Sequence, residues 1–538
     1  MSTANHRHDG ARDAFTLFAA PALALLLALI VAIGGLRGSD WPAHLFRVEL
    51  FRDVGMTLWN GQWYGGHYTL GYSVVFPPLA AWFGPVLVGI VSSVVATMCL
   101  LLLLRERYGP VSAFAAACWF AVGTAVNLAV GRLPFALGLA FGLLALLAYQ
   151  RGHGLSAVVA ALLAPLASPV AGVFLAVGIG GLLVDLWLRR RQGEHVLLAV
   201  AVAMGVASVA PVAITSVIFP DPGVFPFRGA AFAGVLVCCV GVAALLPAGE
   251  RVLRLAATFA AAMSLPLFVM ANPLGGNMTR LVVLFVVPVM MCALWRRRPR
   301  LVMVAALPLS FWLVLPAFAS AGHISDPAGR PEYHQPLVDF VTSATGPIGR
   351  VEIPFTDGHW EVAYVAPYVP IARGWERQID MDRNLILYDP KVTAEQYRQW
   401  LDDNAVRWVA LPDVALDEGG TAEAALIEHG VPGLELVHTS QHWRIWEVND
   451  AEPIVEAPGV LLRESPDEIV IAVDRPGTVL VRAWYMPYWS ANGADACVKT
   501  SQDGLLEIVV SEPGLVHLEP QFSLETAFTS RSSDACLD

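Results

Sequence analysis

Between Phe15 and Phe318 the chain holds eleven runs of apolar residues with polar breaks between them. About 20 mostly apolar residues suffice to cross a bilayer, so this stretch reads as a bundle of membrane spans and not as a soluble core. The runs cover Phe15 to Leu36, Val86 to Leu104, Val111 to Val130, Pro134 to Tyr149, Ser156 to Ala167, Val170 to Leu188, Val196 to Phe219, Gly229 to Leu246, Val252 to Met270, Thr279 to Leu294 and Leu301 to Phe318. The first is too long for a cleaved signal peptide and lacks a small-residue cleavage site, so it is expected to remain as an anchor.

Charge divides the chain near residue 320. Upstream there are 20 Lys+Arg and 10 Asp+Glu, whereas from Ala321 onward there are 14 and 35. A cationic apolar part followed by an acidic polar part implies a membrane domain over 1–320 and a water-exposed remainder. The acidic remainder also speaks against nucleic-acid binding, which needs clustered cations on phosphates.

Orientation follows from arginines in alternate short loops. Arg105, Arg107, Arg151, Arg189, Arg190, Arg191, Arg251, Arg254, Arg296, Arg297, Arg298 and Arg300 fall on one side, which is expected to be cytoplasmic. This requires Ser156 to Leu188 to be two short helices broken at Ser168-Pro169, since a single span would carry the triple arginine across. The N-terminus is then cytoplasmic and the acidic remainder extracytoplasmic. Cys497 and Cys536, both in that remainder, would be free to pair in an oxidising compartment.

The loop Arg37 to Pro78 is too polar to span and rich in Trp and Tyr, as expected of an interfacial segment. A helix starting near Asp40 would put Asp40, His44 and Arg47 on one face. A carboxylate can take the proton of an attacking hydroxyl, and an arginine can hold a phosphate through its planar fork. Asp40 before Trp41-Pro42 is also a good helix N-cap, and the two roles are compatible. Glu49 and Asp53 are further carboxylates of the loop, and His67 and Tyr72 can touch sugar hydroxyls or anchor at the interface. Arg132 and Arg280 end apolar runs on the outer side, where each can either bind a phosphate or snorkel to water.

The segments GSDWPAHLFRVE, LWNGQWYGGHYTLGYSVVFPPLAAW and GRLPFALGLAFGLLAL, with the Ser168-Pro169 break, resemble the GT-C superfamily of membrane glycosyltransferases. Within that plan they look like bacterial multi-spanning proteins of the 6-pyruvoyl-tetrahydropterin-synthase-related kind. The likeness covers roughly the first 300 residues; Ser39-Asp40 stands where relatives often have His-Asp, and Gly71-Tyr72-Ser73 where they have Gly-Tyr-Gly. The resemblance implies inverting transfer from a polyprenyl-phosphate-linked sugar to a cell-envelope glycan or lipid acceptor at the outer face of the bilayer. Asp40 would be the general base, and His44, Arg47, Glu49, His67, Tyr72, Arg132 and Arg280 would contact substrate. No cofactor is expected, and metal use is left undecided. An envelope lipid or glycan transporter or flippase, and a catalytically silent scaffold, are the alternative readings.

No Gly-rich phosphate loop followed by Lys and no dinucleotide fingerprint occurs, which disfavours a soluble nucleotide-sugar donor. No G-x-S-x-G elbow occurs either. Residues 321–450 alternate strand-like and helical pieces, as in an α/β domain with one modest sheet. His359, Glu361, Arg373, Trp375 and Asp380 within it are candidates to line an acceptor path or a domain interface. Residues 451–538 read as short strands of a small all-β, sandwich-like tail. The fold class expected is therefore a polytopic α-helical membrane domain, an α/β domain and a β-rich domain.

Overall fold

A computed structural model describes residues 2–189, 195–221 and 223–523, with side chains from residue 14 onward. The residues separate into two compact units. The first comprises Met1–Trp41, Gly71–Val217 and Gly223–Ile324; the second comprises Pro42–Leu70, Ile218–Pro222 and Ser325–Asp538. Most of the loop that the sequence places with the membrane domain thus belongs to the second unit.

The first unit is helical. Its spans are α1 (Ser2–Ile33), α4 (Pro85–Tyr108), α5 (Pro110–Val130), α6 (Leu133–Gln150), α7 (Gly154–Ala167), α8 (Pro169–Arg189), α9 (His195–Ile218), α10 (Gly229–Leu245), α11 (Arg251–Val269), α12 (Met278–Leu294) and α13 (Pro299–Ala321). The short α3 (Phe76–Phe83) abuts α4, and α2 (Trp41–Val54) follows α1. Among the described residues nine helices are long and apolar enough to cross a membrane, and Gly154–Ala167 and Gly229–Leu245 are shorter apolar helices. These eleven coincide with the eleven runs of the sequence, and the chain is a multi-pass membrane protein. The break expected at Ser168-Pro169 is present: Ser168 is extended, as the residue before a proline prefers, and α8 starts on the proline.

The second unit contains a mixed sheet ordered β3-β4-β6-β5, made of β3 (Arg350–Glu352), β4 (Val406–Pro412), β5 (Leu434–Thr439) and β6 (Trp443–Val448). Only β3 and β4 pair in parallel. Central β4 is buried on both faces, which its near-continuous apolar sequence VRWVALP dictates. Trp408 and Ala410 pack with Tyr333, Leu337 and Val338 of α14 (Pro331–Ser343). Val406, Val409 and Leu411 pack with Tyr397, Trp400 and Leu401 of α17 (Ala394–Asp403) and with Ala424 and Ile427 of α18 (Glu418–His429). Between these lie the short α15 (Glu361–Tyr364) and α16 (Arg377–Arg383). α17 is started by a capping box, Thr393 with Gln396.

Two further sheets form the sandwich, ordered β10-β13-β8-β7 and β11-β12-β9. Their strands are β7 (Gly459–Glu464), β8 (Ile469–Val473), β9 (Gly477–Trp484), β10 (Trp489–Gly493), β11 (Ala496–Thr500), β12 (Leu505–Val510) and β13 (Gly514–Pro520). Alternation decides which side chains face inward: Leu506, Ile508 and Val510 of β12 and Val516 and Leu518 of β13 are buried, while Glu507, Val509 and His517 between them are only partly so. The hairpin of β1 (Trp59–Asn60) and β2 (His67–Tyr68) belongs to this unit as well, with Trp59 and Tyr68 in the same apolar cluster. Cys497 is disulfide-bonded, whereas Cys536 lies outside the described residues.

Candidate functional site

The last carbonyls of any helix lack partners within it, and at the end of α5 they organise a site. Gly38 N–H donates to Ala129 O at 2.8 Å and Asp40 N–H to Val130 O at 3.2 Å. The Trp41 indole N–H donates to Leu128 O at 2.9 Å. Asp40 is thereby fixed on the end of α5, one residue before α2 begins.

Gly131 closes α5 in the left-handed region, with φ near 101°, and a Cβ there would lie 2.5 Å from Trp41 N. Only glycine satisfies both demands. Gly131→Val is therefore expected to lower the detergent-solubilised melting midpoint by several degrees and to impair any activity that depends on Asp40. An unchanged midpoint would contradict the close approach.

The residue after Gly131 is Arg132, whose Nε lies 3.9 Å from Asp40 Oδ2. That nitrogen is buried and has no hydrogen-bond partner. Burial and nearby Arg280 draw the Arg132 guanidinium down to about 9, opposed by Asp40 and Tyr72; it stays a cation at neutral pH. Arg280 sits in the first turn of α12 over the Phe135 ring, 5.4 Å from its centroid. Before it, Gly275–Asn277 form a tight turn. Arg132 and Arg280 line one small cavity of about 50 Å³ with Asn127, Thr279 and Trp312. Two cations thus face one partly exposed carboxylate, an arrangement suited to an additional anion.

Below Arg280 the same helix lines a second cavity of about 220 Å³. Leu139 and Leu143 of α6, Phe174 of α8, Ala260 of α11 and Phe285 and Val289 of α12 form its walls. Its lining is apolar, which suits a hydrocarbon chain.

Of the eight residues singled out in the sequence, Asp40, Tyr72, Arg132 and Arg280 come together in the first unit. The other four lie in the second unit. Arg47, expected as a phosphate ligand, is ion-paired with Glu376 at 2.5 Å and lies 5.5 Å from the centroid of the Trp63 ring. Glu49 is exposed and paired with Arg52. His44 is 2% exposed. His67 is buried and stacked on Trp63, and burial together with Arg47 and Arg383 pushes its pKa well below the usual histidine range. Sequence reasoning missed Asn127 and Trp312, which look like ordinary span residues. Their signal was only a polar atom within an apolar run.

The second polar concentration is the interior of the second unit. Arg373 donates to both Asp380 oxygens, at 3.0 and 2.7 Å, to Glu423 at 2.8 Å and to Gly419 O at 2.8 Å. His359 lies between Glu361 and Asp417, each 3.7 Å away, and stacks on Trp375 with centroids 3.3 Å apart. Asp417 also receives a two-pronged pair from Arg377. His359, Glu361, Arg373 and Asp380 are all at most 2% exposed and Trp375 is 8% exposed. These residues form a buried polar network, so of the two readings, an acceptor path or a domain interface, their burial speaks against an open path.

That network gives a pH dependence. Burial and the charge of Glu423 push Glu352 above the ordinary carboxyl range, burial and the charge of Asp380 push Glu423 up to about 7, and burial pushes Asp221 up to about 7. The neighbouring carboxylates raise His359. For each of these groups the folded pKa exceeds the unfolded one, so each stabilises at low pH and the contribution fades as pH rises. The carboxyl contributions fade from about pH 4.5 upward, and that of His359 above about pH 6.5. Asp417, held far below its ordinary range by His359 and Arg377, acts oppositely and loses its contribution progressively as pH falls below about 4. The expected result is a higher melting midpoint at pH 6 than at pH 8, with a smaller difference in Glu352→Gln. A midpoint that climbs toward pH 8 would contradict this.

Among the described residues no group of three or more His, Cys, Asp or Glu is placed to hold a metal ion. Comparison with solved structures gives distant likenesses. The archaeal oligosaccharyltransferase AglB from Archaeoglobus fulgidus, in complex with an inhibitory peptide and a dolichol-phosphate, matches with a TM-score of 0.44 and 13% identity over 74% of this chain and 69% of that one. The arabinofuranosyltransferase AftD from Mycobacteria matches with a TM-score of 0.43 and 14% identity over 95% of this chain and 59% of that one. No family model and no curated protein matches the chain.

Proposed function

We propose that this protein is a membrane glycosyltransferase that moves a sugar from a polyprenyl-phosphate donor to a cell-envelope acceptor on the outer face of the membrane. The observation that carries the reading is the convergence of Asp40, Arg132 and Arg280 at one end of the first unit, with an apolar cavity continuing along α12 from Arg280. A lipid phosphate needs both halves of this arrangement, cations for the headgroup and an apolar slot for the chain. The motif resemblance of the first loop points the same way.

In the reaction Asp40 takes the proton of the acceptor hydroxyl as its oxygen bonds to the anomeric carbon. The bond from that carbon to the phosphate oxygen breaks, and the departing phosphate keeps the electron pair. Arg132 and Arg280 hold the negative charge that grows there. Attack opposite the leaving group inverts the anomeric centre. The arginine-rich alternate loops, read as cytoplasmic, support an outward-facing site at Asp40, Arg132 and Arg280.

Transfer from a radiolabelled polyprenyl-phosphate sugar in membranes tests this reading. Arg280→Gln and Arg132→Gln should each raise the donor KM about tenfold or more, since a hydrogen bond to a charged group is worth about 1.5–3 kcal/mol. Unchanged KM in both variants rejects the phosphate assignment, and translocation of the lipid without covalent change would favour a transporter.

A further inference from the structure

A cleft of about 720 Å³ opens within the second unit, walled by α17, by the turn after α16, and by the ends of β9 and β12. Its volume lies in the range of small-ligand sites. We propose that it binds an oligosaccharide chain. As the place where the acceptor glycan is held it rests on the transferase reading above, whereas glycan binding itself does not.

The lining carries the argument. Trp484, at the end of β9, is half-buried, and its indole N–H is tied to Tyr64 O at 3.0 Å. That bond fixes the ring as a platform, and aromatic faces pack against the C–H faces of sugar rings. Arg383 lies over this ring at 4.7 Å from its centroid. Arg383 and Arg350 both line the cleft, are more than nine-tenths buried as side chains, and each keeps an Nε without a hydrogen-bond partner. A buried N–H donor without a partner is costly.

The rim is supplied by Gln399, Asp403 and Asp503, all exposed. Two carboxylates there oppose a phosphate or an acidic chain. A neutral sugar suits both kinds of group, because each hydroxyl can donate to a carboxylate and accept from an arginine. Nothing in the linear sequence announces the cleft, since Tyr64, Arg350, Arg383, Trp484 and Asp503 are spread over more than 400 positions.

The test uses the full-length protein in nanodiscs, titrated with hexasaccharides of glucose, galactose, mannose and arabinose and followed by saturation-transfer NMR. At least one hexasaccharide should bind the wild type. Gln399→Arg and Asp503→Arg, both at exposed rim positions where folding is not at stake, should weaken that binding at least tenfold. Trp484→Ala should do the same, and Asp40→Asn should leave it unchanged. Failure of all four sugars to bind, or binding that the rim variants do not alter, overturns the proposal. Binding by a protein that transfers no sugar would overturn the transferase reading alone and leave the glycan site standing.

Discussion

Asp40→Asn should lower the rate of sugar transfer by about 10²- to 10⁴-fold, the usual worth of a positioned general base, with the melting midpoint unchanged. The substitution separates two roles that one residue holds. Asp40 stands immediately before α2 and is tied through its own N–H to Val130 O, so it positions the chain as well as offering a carboxylate. Asparagine caps helices as well as aspartate does, and the backbone bond is untouched by it. A fall in rate without a fall in stability therefore assigns the proton transfer to the carboxylate. Asp40→Glu, which moves the carboxylate outward by one methylene, should recover part of the rate. A rate for Asp40→Asn within about threefold of wild type would show that the base lies elsewhere, because no proton acceptor remains at that position.

Arg373→Met carries the largest expected effect on stability, a loss of about 3–5 kcal/mol. Arg373 is 2% exposed, Asp380 and Glu423 are 0% exposed, and four of its hydrogen bonds go to these acids and to Gly419 O. Without the guanidinium, Asp380 retains donors from Asn384 and Tyr388, but its charge has lost its nearest cation in a dry interior. Lysine should not rescue, because an ammonium cannot reproduce the planar fork that meets both Asp380 oxygens. The readout is the midpoint of thermal unfolding at a fixed scan rate, expected to fall by about 10 °C or more for a unit of this size. The double variant Arg373→Met with Asp380→Leu should be more stable than the sum of the single losses, since it also removes the stranded carboxylate. Additive losses would show that the pair is not coupled in this way.

Much of the fold was readable from local pattern. The break at Ser168-Pro169 was legible because a proline starts a helix well and restricts the residue before it. Strands β6, β8, β12 and β13 were legible from apolar runs or alternation bounded by turn residues. Strand β7 was not, because Leu461 is only half-buried and Val460 and Leu462 are exposed, so its residues lack the inward-outward contrast that betrays a strand. Of the eight candidate residues four come together, and three of these, Asp40, Arg132 and Arg280, stand out in the sequence as charged groups near the ends of apolar runs.

What the sequence determined by itself is which segments enter the membrane and where the chain turns, since both depend on residues within one helix length of each other. What only the tertiary structure decided is which charges share a site. Arg47 was an equal candidate to Arg132 until the fold brought it Glu376 from 329 positions away, while the end of α5 brought Asp40 to Arg132. Burial strengthens such pairings by removing water, and burial depends on contacts between segments that are remote in the chain.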